Sequence, residues 1–340
     1  MSIKKLNFRK QEGLIFGIYP GSGVGADAGS GIIQGKMDEP SKIIAALKEL
    51  AQGLPFMVRS YIQYNGNPEG SFITPADPSQ YCKDNFRLDL ALCYRTNEST
   101  MTGWHQFIRK IIREYRDVLV KIQITEEPNN PDSTSGGDGS SLNVRRAIAE
   151  GVLTAKDEIT QLGLDVQIGF NAVISFNPRD DFWPGMAALN GNNFIGELDY
   201  IGLDFYPGVF RPLPPGLTMI EAVKSVLNHY RKINLAEGTI PEMVPIHITE
   251  NGWPTNKVRN EEQQAISIKE IIETVFDLRR ELNITHYEFF DLRDTSSEGW
   301  NSHAALESSG EGFQFGLMYD DYTPKKAFHV YRNLIEKISS

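Results

Sequence analysis

Three glutamates stand where acid–base and nucleophilic chemistry would need them. KIQITEEPN (121–129) places Glu126 and Glu127 at the end of one β-rich run, and HITENGWPT (247–255) places Glu250 at the end of another. Two carboxyl groups can divide a reaction: one stays protonated to donate, the other ionises to attack. Along the first run Ile122 and Ile124 share one side, while Gln123, Thr125 and Glu127 share the other. The apolar side should face covering helices, so Glu127 is expected to point into a site and Glu126 away from it or along its rim. The second run resists this logic. Glu250 has the parity of Ile246 and Ile248, so only a bulge or a turn would aim it inward. Taken singly, a strand-end glutamate reads as a solvated loop residue, and Asn251-Gly252 as a hairpin turn. The weight comes from finding such acids on two strands.

Other chemistries find less support. GSGVGADAGSG (21–31) has neither GxGxxG in register nor GK[ST], so it reads as a rim loop rather than a phosphate cradle. PNNPDSTSGGDGSS (128–141) contains Asp132 and Asp138 but lacks calcium-loop spacing, and reads as flexible surface. The six histidines show no paired metal spacing, and His247 and His286 are expected to be hydrogen-bonded inside the fold. No GxSxG elbow marks a nucleophilic serine. Neither a metal nor a cofactor is expected.

The acids need a frame that brings them together. Short, near-continuous apolar runs are expected as strands at 14–20, 55–64, 86–94, 118–125, 166–175, 198–206, 244–250 and 284–292, the pattern of a parallel sheet buried on both faces. Helical stretches alternate with them. Trp104, Phe107, Ile108, Ile111, Ile112 and Tyr115 fall on one helix face, as do Ile268, Ile271, Ile272, Val275, Leu278 and Leu282. A last helix is expected to start near Pro324, with Ala327, Val330, Tyr331, Leu334 and Ile338 on its stripe. Eight strands with seven or eight helices in 340 residues favour a single (β/α)8 TIM barrel spanning 1–340, over an open doubly wound sheet.

Composition agrees with a globular chain: 40% hydrophobic and 23% charged exclude a disordered, collagen-like or coiled-coil protein. The net charge of −10 repels phosphate backbones, so no nucleic acid and no membrane surface is expected as partner. Two cysteines, Cys82 and Cys93, make no disulfide framework. No run approaches a membrane span, and LIFGIY after the basic N-terminus is too short for a secretory core. The chain as given is expected to be cytoplasmic, or secreted if a leader has been removed. Nothing in it signals a particular oligomeric state.

TEEPN and ITENGWPT resemble the two signatures of clan GH-A, the retaining (β/α)8 glycoside hydrolases, in order, strand assignment and spacing. DYIGLDFYP (199–207) is similar to the strand-six signature of clan members such as the β-galactanases, and FGLMYDDYTPKKAFHVYRNLI (315–335) looks like their closing segment. The resemblance implies an acid/base at Glu127, a nucleophile at Glu250, and an oligosaccharide or glycoside substrate cleaved by double displacement. It also implies that Arg59 orients Glu250 and that Tyr206 hydrogen-bonds it. Asn171 and Asp204 become candidate hydroxyl ligands, and Trp253 and Trp300 stacking surfaces for sugar rings. One position departs. The clan usually has Asn before the acid/base, contacting the sugar 2-hydroxyl, whereas this chain has Glu126, which accepts but cannot donate while ionised. A glycan-binding barrel that has lost turnover is therefore the second expectation. A lyase or isomerase on the same fold lacks the metal or Lys signals it would need.

Overall fold

The computed structural model describes residues 12–22, 24–27, 31–33, 35–132, 136–295 and 314–339, with backbone alone at 24–27, 31–33 and 192. All eight expected strands form: β1 Ile15–Ile18, β2 Phe56–Tyr64, β3 Phe86–Tyr94, β4 Leu119–Ile124, β5 Gln167–Val173, β6 Tyr200–Asp204, β7 Ile246–Asn251 and β8 Ile284–Phe289. Each pairs in parallel with the next, and β1 pairs with both β2 and β8, so the sheet closes on itself. The helices of more than one turn among the described residues surround it: α1 Pro40–Ala51, α2 Thr102–Tyr115, α3 Val144–Leu162, α4 Phe182–Ala188, α5 Met219–His229, α6 Glu261–Leu278 and α7 Lys326–Ile338. Between β2 and β3 a 3-10 turn, Pro78–Tyr81, takes the place of a helix. The molecule is a (β/α)8 barrel. No helix among the described residues is long and apolar enough to cross a membrane.

Strand alternation builds two environments. On β3, Leu88, Leu90 and Leu92 join the main core beneath the helices. Ala91 and Cys93 belong instead to a small internal cluster with Tyr19 and Tyr61. The apolar stripe of α2 is fully buried, its Trp104 and Phe107 rings stacked at 5.6 Å. Burying each such ring contributes about 2–3 kcal/mol. The last helix starts later than Pro324 implies: Lys325 is its N-cap, held extended while its ammonium reaches the buried Asp294 at 2.7 Å. Cys82 and Cys93 are both free and buried.

The barrel interior is more polar than the sequence suggests. Asp89, fully buried, lies between Arg59 at 2.8 Å and Lys121 at 3.1 Å, and Lys121 also pairs with Glu288. Gly17 on β1 makes room for this network, since a Cβ there would come within 2.6 Å of Met57 and 2.8 Å of Glu288. Toward the other end, His247 stacks flat on Tyr200 at 4.3 Å and against His286 at 3.7 Å. His286 bonds Thr285 through Nδ1, but neither ring nitrogen of His247 has a hydrogen-bond partner among the described residues. Stacking, rather than the expected hydrogen bonding, holds His247. Burial keeps it neutral by pushing its pKa well below the usual imidazole value.

Burial alone would raise the Asp89 carboxyl, but Lys121 and Arg59 overcome that and hold it below its ordinary range. Asp89→Asn would leave two buried cations short of their shared anion. It is expected to lower the unfolding free energy by about 3–5 kcal/mol at neutral pH, read from urea unfolding midpoints. Because the native pKa is depressed, the wild-type advantage should shrink as pH falls through the acid range. An unchanged midpoint would rule out the bridging role.

Candidate active site

The acids collect at the carboxyl ends of the strands, where loops leave the barrel. The chain breaks out of β4 through two left-handed residues, Thr125 at φ 71° and Glu127 at φ 38°. A β-branched residue there costs roughly 1–3 kcal/mol, and such strain collects at functional sites. This break also defeats the alternation argument for Glu126. Instead of turning away, Glu126 is buried beside Glu127, its Oε2 accepting from Gln123 Nε2 at 2.5 Å and Arg59 Nη2 at 3.3 Å, its Oε1 from Asn171 Nδ2 at 3.1 Å.

Glu250 is aimed inward by irregular pairing. The register of β7 shifts between Ile248 and Glu250 against β6, and between Ile248 and Asn251 against β8. These irregularities stand where the sequence required a bulge or a turn. Tyr61 donates its O–H to Glu250 Oε1, and Tyr206 donates to Oε2 at 2.7 Å. Arg59 stands 3.8 Å away and acts chiefly through another side chain: its Nε donates to the Tyr61 oxygen at 2.8 Å. Arg59 thus reaches Glu250 both as an ion pair and through Tyr61, which lies between them.

Asn171, on β5, ties the end of β4 to the end of β6. Its Oδ1 accepts the Glu127 backbone N–H at 2.8 Å, and its Nδ2 faces both Glu126 and Asp204. Asp204, buried at the end of β6, also accepts from Thr249. Both residues thus have partners within the protein beyond the ligand role expected of them. Trp253 is in the main core with the Arg259 guanidinium 4.9 Å over its ring, so it is rim packing, not an open stacking surface. Among the described residues Phe210 is a half-exposed aromatic, edge-on to Tyr206 at 5.4 Å. Trp300 lies outside the described residues.

One oxygen each from Glu126, Glu127, Asp204 and Glu250 lies within 4.8 Å of the others. Such an all-carboxylate set suits protons or a hard cation. Burial first, then Asp204 and Glu250, push the Glu127 pKa well above the carboxylate range, opposed by the Asn130 hydrogen bond. Burial, Glu250 and Asp204 do the same to Glu126, against Arg59. Asp204 is pushed up to about 7 by burial and then Glu250. The neighbours that most raise Glu127 are thus Asp204 and Glu250, not the adjacent Glu126.

Sequence reasoning missed Tyr61, Gln123, Asn130 and Asp138. Tyr61 was within reach, because it shares the parity of Arg59 on β2 and lies nearer the mouth. Asp138 was not, since its loop reads as flexible surface. In fact Asp138 is fully buried and accepts backbone N–H bonds from Tyr94 at 2.6 Å and Glu126 at 2.8 Å.

A closed parallel barrel with carboxylates at the ends of its strands defines the class, a (β/α)8 barrel with an acidic mouth. No protein-family model matches the chain, and no curated protein matches it in sequence. Solved structures do match in fold. A GH1 beta-glucosidase from Exiguobacterium antarcticum is 13% identical at a TM-score of 0.61, covering 95% of this chain and 97% of that one. A beta-glucosidase from Thermotoga maritima, in complex with deoxynojirimycin, is 14% identical at 0.60, covering 98% and 100%. A glucuronidase from Ruminococcus gnavus, in complex with D-glucuronic acid, is 13% identical at 0.58, covering 95% of this chain and 49% of that one. At such identities the likeness is one of fold.

Proposed function

We propose that this protein is a retaining β-glycoside hydrolase, with Glu250 as nucleophile and Glu127 as acid/base. The observation that carries the reading is the approach of a Glu127 oxygen to within 4.8 Å of one on Glu250. Retaining glycosidases hold their carboxyl groups about 5–5.5 Å apart, a separation with which so close an approach of single oxygens agrees. Glu250 attacks the anomeric carbon while Glu127 gives its proton to the leaving oxygen. Glu127 then takes a proton from the water that releases the glycosyl-enzyme, and configuration is retained. The raised pKa of Glu127 suits an acid that must keep its proton near neutrality. Tyr61 and Tyr206 hold both oxygens of Glu250 in place.

The glycosidases of like fold supply the first panel of substrates, β-glucosides and β-glucuronides. With four carboxylates converging and Arg59 already shared with Asp89, the site favours a neutral glycone over glucuronate. The test is treatment with activated 2-fluoro glycosides followed by peptide mass spectrometry. The expected result is a single sugar adduct on Glu250. An adduct on another residue overturns the nucleophile assignment. Oligosaccharide binding with neither adduct nor turnover would instead identify a glycan-binding barrel.

Tyr61→Phe removes the donor on Glu250 Oε1 and the acceptor for Arg59 Nε. Hydrogen bonds to charged groups contribute about 1.5–3 kcal/mol, so kcat/KM on an aryl β-glycoside should fall about 10- to 100-fold. A loss confined to KM would place Tyr61 in ground-state binding instead.

A further inference from the structure

The segment after β4 folds back under the acid/base instead of standing off as a surface loop. Among the described residues, three hydrogen bonds hold Asn130 in place. Its backbone N–H donates to the Glu127 carbonyl at 2.9 Å, its carbonyl accepts from Gly139 N–H at 3.0 Å, and its Oδ1 accepts from Asp132 N–H at 3.1 Å. The last bond settles the orientation of the amide, because only the oxygen can accept. Nδ2 is therefore the atom that faces Glu127, 2.7 Å from Oε2. Two glycines make the seat. A Cβ at Gly137 would come within 2.6 Å of the Asn130 carbonyl oxygen, and one at Gly139 within 2.4 Å. Asp138, between them, holds the Glu126 backbone from the same side.

We propose that Asn130 is a positioning residue for the acid/base: by donating to Glu127 Oε2 it assigns the transferable proton to Oε1. The inference rests on the acid/base reading of Glu127. A neutral carboxyl has one hydroxyl and one carbonyl oxygen, and the carbonyl is the better acceptor of an N–H. A donor fixed on Oε2 makes Oε2 the carbonyl and leaves the hydroxyl to Oε1. After proton transfer the same donor stabilises the carboxylate until it recovers a proton from the attacking water. Among the described residues, the charges that crowd Glu127 are Asp204 from β6, Glu250 from β7, Glu126 beside it and Asp138 from the loop. The nearby cations are already engaged, Arg59 by Asp89 and Glu126, and Arg95 by Asp138.

The experiment measures kcat/KM against pH for the full chain, using dinitrophenyl and alkyl β-glycosides. Variants are Asn130→Ala, Asn130→Asp and Gly139→Ala, with Glu127→Ala as reference. Losing the donor should move the alkaline limb upward by about 0.5–1 pH unit in Asn130→Ala. It should move further in Asn130→Asp, which adds a like charge. Gly139→Ala, which leaves Glu127 itself intact but crowds Asn130, should shift it the same way. The rate loss should be about tenfold larger on alkyl than on dinitrophenyl substrates, because only alkoxide leaving groups need a directed proton. An unmoved limb, or an equal loss on both substrates, overturns the role of Asn130 provided Glu127→Ala itself discriminates between them. Should Glu127→Ala not discriminate, the acid/base reading falls and this inference with it. Asn130→Asp is isosteric and keeps the acceptor for Asp132 N–H, so it decides the matter if Asn130→Ala does not fold.

Discussion

Glu250→Gln is expected to lower kcat on aryl β-glycosides by about four to six orders of magnitude, in line with the removal of a covalent nucleophile elsewhere. The side chain keeps its size, so the fold should persist. Its chemistry does not, because an amide is a poor nucleophile toward an anomeric carbon. The substitution also leaves a local mismatch. Tyr61 and Tyr206 donate to the two oxygens of Glu250, and an amide NH2 on either side turns one of those contacts into donor facing donor. The 2-fluoro adduct should disappear with the activity. Adding azide to Glu250→Ala should restore turnover with inverted product, since the anion attacks from the vacated side. Retention of more than a trace of activity in purified Glu250→Gln would remove Glu250 from the nucleophile's role.

Glu127→Ala should show a different kind of loss. Removing a general acid costs about 10²–10⁴ in rate where the leaving group needs the proton, and far less where it does not. Alkyl β-glycosides should therefore be nearly inert, while dinitrophenyl β-glycosides still react quickly in the first step. Release of the glycosyl-enzyme then lacks its base, so the intermediate accumulates, a burst appears and KM falls. The pH profile supplies an independent reading. The native acid has a pKa raised by burial and then by Asp204 and Glu250, so it holds its proton above the ordinary carboxylate range. Wild-type kcat/KM should fall as pH rises through that elevated titration, and the variant should lose this limb. Equal loss on both substrate classes, with the limb intact, would assign the proton to another group.

The parts of the site that could be read from sequence are those carried by local pattern. Eight apolar runs at barrel spacing all became strands, because a strand buried on both faces needs apolar residues at both parities wherever it folds. Glu127 and Glu250 follow the same logic, as acids at the points where such runs end. Parity then fails at the mouth, and for a nameable reason. Glu126 reaches the site because Thr125 and Glu127 adopt left-handed backbone, and alternation holds only while the chain stays extended. Trp253 misleads in the opposite sense: an aromatic after a strand reads as a platform, but Arg259 and the core cover it.

By itself, then, the amino-acid order determined the barrel, the two carboxyls proposed to react and the chain order in which they arrive, all of them properties of neighbouring residues. Tertiary structure decided which way those carboxyls point and how tightly they hold protons. The slip in register that turns Glu250 inward exists only against β6 and β8. Its Tyr61 partner is 189 residues distant in sequence, and the Asp138 that anchors Glu126 comes from a loop whose composition alone reads as solvated. Burial and charge proximity depend on where the whole chain closes, and no local window of sequence contains that distance.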